Sequence, residues 1–239
     1  LCPCRIIAVT GSDGKTTTTT LISEMLKADG RTVHLGGNLG RALLPVAETM
    51  RPDDVAVVEL SSFQLISMHA SPDVAVVTNV TPNHLDHHKD MQEYIDAKRN
   101  ILLYQKKTGR AVLGYANAVT RAMAADVKGS FCWFTRFEEV ENGACLTADG
   151  MLVMNRDGVS APILPRSEIA LRGDHNIENV LAACAALWGE VPVACMAQVA
   201  RTFRGVEHRI EPVRTLNGVQ WFNDSIASSP TRVIAGLRA

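Results

Sequence analysis

Between Val9 and Thr20 the chain reads VTGSDGKTTTTT. Gly11 and Gly14 let the backbone turn with its N–H groups inward, Lys15 brings a mobile ammonium, and Thr16 brings a hydroxyl able to ligate Mg²⁺. Gly11, Ser12, Asp13, Gly14, Lys15, Thr16 and Thr17 therefore form a candidate phosphate site for a nucleotide. The usual phosphate loop has four residues between its first glycine and the Gly-Lys pair; here Ser12 and Asp13 are the only two, so the loop is a shortened variant. Other chemistry-bearing residues are spread along the chain. Glu59 ends an apolar run and is either a cation ligand or the salt-bridged end of a strand. His84, Asp86, His87 and His88 crowd one turn, a set compatible with metal binding and equally with a polar surface turn. Asn38, in the loop GGNLG, is a turn residue or a substrate contact. Asn176 and Asn179 lie three apart on one helix face, suited to a base edge or to capping.

These residues need elements to hold them. Arg5 to Val9 reads as a strand, followed by the glycine turn and a helix with Leu21-Ile22 and Met25-Leu26 on one face. Thr32 to Leu35 is a short strand. Asp54 to Leu60 and Asp73 to Val80 are near-continuous apolar runs with polar exits, the pattern of parallel strands buried on both faces. Their exits face the same sheet edge as the phosphate loop. Met91 to Tyr104 is a helix, and its spacing alone does not distinguish Lys98 from a solvated lysine. A strand at Ala111 to Leu113, a helical stretch from Ala116 to Asp126 and a strand from Ser130 to Phe134 follow. Ala144 to Thr147 and Met151 to Met154 flank Asp149-Gly150 as an edge hairpin. A helix runs from about Asp174 to Trp188, with Asp174 as its cap. The helical pattern stops near Phe203. Ile210 to Thr215 and Val219 to Asn223 flank Asn217-Gly218, a second hairpin, and Thr231 to Ala239 begins a helix. The fold class is α/β, a mostly parallel sheet flanked by helices.

With 239 residues, nearly half apolar, the chain has material for a large core. Twenty-four basic and twenty-five acidic residues leave a net charge of −1 and no basic stripe, so neither nucleic acid nor a membrane surface is expected as partner. No apolar run is long enough for a membrane helix and no signal-peptide pattern opens the chain, which points to the cytoplasm. The six cysteines read as free thiols. Cys2-Pro3-Cys4 has the look of a redox or metal pair, but no second pair of ligands accompanies it.

Taken together, the motifs resemble those of the muramyl ligases, ATP-dependent amide-bond-forming enzymes of peptidoglycan precursor synthesis. TGSDGKTT is similar to their phosphate loop, VVELSSFQL to the strand with a metal-binding glutamate, NVTPNHLDHH to the histidine segment and AKRNI to the modified-lysine helix. GDHNIEN resembles the adenine-side helix, and HRIE with NDSIASSP the start of the third domain. ELSSFQL and NVTPNHLDHH are most similar to members that add glutamate to UDP-N-acetylmuramoyl-L-alanine. Folylpolyglutamate synthases share the general plan and match less well; a non-catalytic nucleotide-binding module is the rival of another class.

The resemblance implies a phosphate-loop NTPase-like central domain over residues 1–205 and the incomplete start of a Rossmann-like C-terminal domain over 206–239, with the UDP-binding N-terminal domain absent. It implies that Lys15 and the backbone from Gly11 to Thr17 hold ATP, that Thr16 and Glu59 bind one Mg²⁺, and that His84 binds a second. Lys98 matches the lysine carbamylated in the family, an anionic group able to share that second metal. Asn38, Gln64 and His84 match positions near the muramoyl substrate; Asn179, Arg209 and Asp224 match nucleotide contacts. Catalysis would rest on Lys15, Glu59, His84 and Lys98, in a monomer. Ile226 stands where many glutamate-adding members have lysine.

Overall fold

The computed structural model describes residues 2–40, 42–83, 86–227 and 230–239. Its centre is β1 (Arg5–Thr10), with β3 (Val55–Glu59) on one side and β4 (Val74–Val77) on the other, both parallel to it. All four residues of β4 are buried, so neither face of the strand meets water and helices must cover both. Among the described residues the sheet has nine strands in the order β2-β3-β1-β4-β5-β6-β7-β8-β9. It is parallel from β2 (Val33–Gly37) through β5 (Arg110–Gly114) and β6 (Ser130–Thr135) to β7 (Gly143–Leu146). The last two strands, β8 (Met151–Arg156) and β9 (Val159–Pro165), run antiparallel, so the hairpin read around Asp149-Gly150 is continuous with the main sheet. β9 was not legible because Pro162 and Pro165 interrupt a strand pattern, and proline is tolerated there because β9 is the edge.

On one face α1 (Lys15–Ala28), α5 (Asp174–Leu187) and α6 (Val193–Thr202) bury Leu21, Ile22, Val180, Leu181 and Met196 against Ile7, Val9 and Val76. On the other, α2 (Ser62–Leu65), α3 (Met91–Leu103) and α4 (Ala118–Ala122) cover Ala8, Ala75 and Val77 with Leu65, Tyr94 and Ile101. Five consecutive threonines are poor helix formers, yet α1 holds. Thr19 and Thr20 return their hydroxyl protons to the carbonyls of Lys15 and Thr16, and the buried face of Leu21, Ile22, Met25 and Leu26 fixes the helix.

Two expectations are corrected. Gly36 and Gly37 are not loop but the end of β2, paired with Val58 and Glu59. Gly37 has φ of +98°, and a Cβ there would lie 2.3 Å from the Glu59 carbonyl oxygen, so only glycine lets β2 run this close. Asp174 is not the cap of α5: Gly173 holds that position and Asp174 is the first helical residue, ion-paired with Arg136 and Arg166. Negative charge at a helix start is favourable without any capping bond.

After α6 ends at Thr202 there is no helix or strand until β10 (Glu211–Leu216). β10 pairs with β11 (Val219–Asn223) in a separate two-stranded sheet, and α7 (Pro230–Leu237) follows. The turn joining them has φ of +50° at Asn217 and +80° at Gly218, the left-handed pair that Asn-Gly favours.

Candidate functional site

Parallel register brings three strand exits together. Val9 pairs with Glu59 on one side and with Val76 on the other, so Gly11, Glu59 and Thr78-Asn79 emerge at one edge of the sheet. At this edge the loop Gly11 to Gly14 turns into α1. Gly14 sits at the N-cap with φ of +80°, and no side chain caps the helix, leaving its first-turn amides turned toward the edge.

Asn79 braces the loop. Its carbonyl accepts from the Ser12 amide (2.8 Å), its Oδ1 accepts from the Asp13 amide (3.0 Å), and its Nδ2 donates to the Asp13 carbonyl (3.2 Å). Ser12 Oγ lies 3.0 Å from the Tyr94 hydroxyl and donates to the Thr81 carbonyl. Two of the amides expected to face phosphate, those of Ser12 and Asp13, are thus engaged by Asn79 from the exit of β4. The Lys15 ammonium donates to the Ser12 carbonyl at 3.0 Å.

Glu59 is 3 % exposed, and its two oxygens differ. Oε1 accepts from Asn38 Nδ2 at 3.1 Å, and the Asn38 amide bonds the Glu59 carbonyl at 2.8 Å. Oε2 is buried with no hydrogen-bond partner among the described residues. A buried carboxylate oxygen without a donor is costly, and a divalent cation is the partner its chemistry suits. Asn38 therefore aims the carboxylate, a role its loop position did not reveal.

Lys98 is 1 % exposed, in α3 beneath the loop. Its Nζ donates to the Gly11 carbonyl at 2.8 Å and stands 4.6 Å from the centre of the Tyr94 ring. Burial and the positive charge of Lys15 bring its pKa down to about 7, against the opposing pull of Asp13 and Glu59. The ammonium, the carboxylate and a second amine thus share one electrostatic neighbourhood.

Across the cleft, Asn179 from α5 accepts from the Thr18 hydroxyl (3.3 Å) and donates to Asn176 Oδ1 (2.8 Å), while Asn176 donates to the Arg172 carbonyl. A Cβ on Gly14 would lie 2.3 Å from Asn179 Oδ1, so glycine allows α5 and the loop to touch. Arg209 donates to the Thr16 hydroxyl at 3.1 Å, and Asp224 Oδ1 accepts from the Ile210 amide. Gly14, Thr17, Asn79, Asn179, Arg209 and Asp224 border a cleft of about 380 Å³, in which Ile226 and the unforeseen His175 also take part.

Other residues fall elsewhere. His84 lies outside the described residues, as do Ser228 and Ser229 of the NDSIASSP segment. The neighbouring histidines do not form the cluster the sequence suggested. His88 is buried, hydrogen-bonded to Ser62 Oγ at 2.9 Å and stacked on Phe63, with Nδ1 3.4 Å from Glu93 but not aligned for a hydrogen bond. His87 is exposed beside Asp86. Among the described residues no three His, Cys, Asp or Glu side chains gather around one point. Gln64 is exposed and closes the capping box of α2 with Ser61.

A glycine turn between β1 and α1 on a parallel sheet, with the buried Lys98 of α3 beneath it and the buried Glu59 at the neighbouring strand end, defines a phosphate-loop NTPase-like α/β domain. Residues 9–187 match the family model described as the Mur ligase middle domain, and the chain belongs to that family. It is 54 % identical over 239 residues to the UDP-N-acetylmuramoylalanine–D-glutamate ligase of Acetivibrio thermocellus and 50 % identical over 238 residues to that of Clostridium kluyveri. All of this chain is covered in both matches, and it spans 51 % of each relative. Among solved structures it is similar to MurF from Acinetobacter baumannii, with a TM-score of 0.75 and 20 % identity over 98 % of this chain and 53 % of that one. The murein peptide ligase of Psychrobacter arcticus superposes with a TM-score of 0.68 at 22 % identity, covering 98 % and 54 %. These two likenesses concern the fold. Among the described residues no helix is long and apolar enough to cross a membrane.

Proposed function

We propose that this chain is the ATP-binding core of a ligase that joins glutamate to UDP-N-acetylmuramoyl-L-alanine, with residues 1–205 as the central domain and 206–239 as the start of the next. The reading is supported by relatives that carry that activity in their names and of which this chain spans 51 %. The observation that carries it is the convergence of Lys15, Glu59 and the buried Lys98 at one sheet edge.

The orphaned Oε2 of Glu59 fits one Mg²⁺, for which the Thr16 hydroxyl, here accepting from Arg209, would be the companion ligand; His84 and a modified Lys98 would serve a second. When bound, these ions supply positive charge to the phosphate oxygens. The chain's own groups do the rest. Lys15 and the first-turn amides of α1 stabilise the charge that builds as the γ-phosphoryl group passes to the muramoyl carboxylate. The acyl phosphate so formed is attacked by the glutamate amine, releasing phosphate and leaving an amide. Arg209, already at the Thr16 hydroxyl, adds a guanidinium, and Asn179 faces the nucleotide. Asn38 and Gln64 lie on the muramoyl side.

The lowered pKa of Lys98 supports the carbamate reading. With a pKa of about 7, a large share of its side chain is neutral amine at physiological pH, and only the neutral amine attacks CO₂. The adduct loses a proton and becomes an anion.

The test is ADP release by the full-length protein offered UDP-N-acetylmuramoyl-L-alanine with each glutamate enantiomer. Release that needs both partners is expected, and Lys15→Met should abolish it. Equal release with no acceptor present would instead favour a nucleotide switch.

A further inference from the structure

Cys2 and Cys4 lie at the opposite end of β1 from the phosphate loop, and the fold brings a third sulfur to them. Met50, 46 residues on, precedes the turn that leads into β3. Its thioether stands 3.7 Å from Cys2 Sγ and 3.9 Å from Cys4 Sγ, while the two thiols are 3.3 Å apart. The centre of that triangle is about 2.1 Å from each sulfur, close to the roughly 2.3 Å of a metal–thiolate bond. We propose that Cys2, Cys4 and Met50 form a three-sulfur site for a soft monovalent metal ion, copper(I) in chemical class.

The donor set selects the metal. Thiolates and a thioether favour copper(I), which accepts three-coordination, whereas zinc seeks four ligands and magnesium or calcium seek oxygen. No imidazole or carboxylate completes a tetrahedron, since no three His, Cys, Asp or Glu side chains gather among the described residues. The surroundings are the buried Ala56 and the partly buried Ile6, Leu43, Val46 and Val58, an apolar setting that offers no oxygen side chain to a hard ion. Cys4 and Met50 are each 6 % exposed and Cys2 is half-buried, which leaves one thiol as the point of entry. Binding breaks two S–H bonds, releases both protons to solvent and forms three metal–sulfur bonds, with no change in oxidation state. The ion would tie the start of β1 to the approach to β3.

The test titrates the reduced, full-length protein anaerobically with copper(I) buffered by a chromophoric competitor, and reads sulfur coordination by X-ray absorption. One ion per chain is expected, with three sulfurs at about 2.3 Å. The Cys2→Ser/Cys4→Ser variant should lose at least 100-fold in affinity. Met50→Leu, which keeps the volume of the side chain, should lose roughly tenfold, a loss that even outer-shell changes can produce. In the unaltered protein, silver(I), as a redox-inert surrogate, should protect Cys2 and Cys4 from alkylation as read by mass spectrometry, whether or not the variants fold. Binding that is indifferent to Met50→Leu, unchanged in the double-serine variant, or accompanied by no protection would overturn the proposal. So would a Cys2–Cys4 disulfide that persists in the presence of reductant.

Discussion

The Lys98 ammonium nitrogen lies 2.8 Å from the Gly11 carbonyl oxygen, so the first glycine of the phosphate loop rests on a buried amine from the opposite layer. Burial and Lys15 hold the Lys98 pKa near 7, below its ordinary 10.5. The unfolded chain therefore binds more protons than the native one between these values, and Lys98 makes stability rise with pH across that window. Below pH 7 its penalty is full and constant. Denaturant titrations of the wild type and Lys98→Met should show the wild type gaining on the variant from about pH 7 to pH 10.5.

The same depressed pKa makes a chemical prediction. Protein equilibrated with ¹³C-bicarbonate should show a carbamate carbon resonance that disappears in Lys98→Arg, because guanidinium does not yield a neutral amine at these pH values. A resonance that persists in the arginine variant would place the modification elsewhere.

Glu59→Gln separates charge from shape. The amide oxygen can keep the Asn38 bond, while the buried, undonated Oε2 becomes an NH₂ group. Metal-free protein should be as stable as the wild type or more so, since a buried charge has been removed. ATP affinity should lose its dependence on Mg²⁺, measurable by calorimetric titration with and without the metal.

Gly14→Ala meets two obstacles, a left-handed φ of +80° and Asn179 Oδ1 at 2.3 Å from the new methyl. The backbone cost is about 1–2 kcal/mol. Asn179→Ala should recover part of the contact cost but none of the backbone cost. A double-mutant cycle on thermal unfolding would show that coupling as less-than-additive destabilisation.

Asn79→Ala removes two side-chain bonds that hold Asp13. At about 1 kcal/mol for each, ATP binding should weaken by about tenfold or more while the fold survives. Unchanged affinity with a lowered melting temperature would reduce Asn79 to a purely structural role.

The loop was legible because its signals are local. Strand, glycine turn and helix follow one another from Arg5 to Ala28, and the apolar run ending at Glu59 put that carboxylate at the loop's edge of the sheet, though it gave no sign that the side chain is buried. Lys98 was legible through the family resemblance and not through spacing; only the fold shows it buried with Tyr94, Ala97, Ile101 and Leu102 on one face of α3. His88 was not, because its burial depends on Phe63 and Ser62 from another segment. Nor was Met50 beside Cys2 and Cys4, a contact made by strand pairing rather than sequence proximity. Asn38 could be read as a turn residue or a substrate contact until β2 was seen beside β3, with Gly37 opposite Glu59.

The matched heights of Val9, Glu59 and Val76 also bear on which changes in length the chain can accept. Removing or adding one residue within β1, β3 or β4 would rotate every later side chain of that strand to the other layer, sending Glu59 or Asn79 away from the loop. Insertions at the outer β8–β9 edge leave these heights untouched. Lineages of this protein should therefore vary in length at that far rim and hold the count of residues within each of the three central strands fixed.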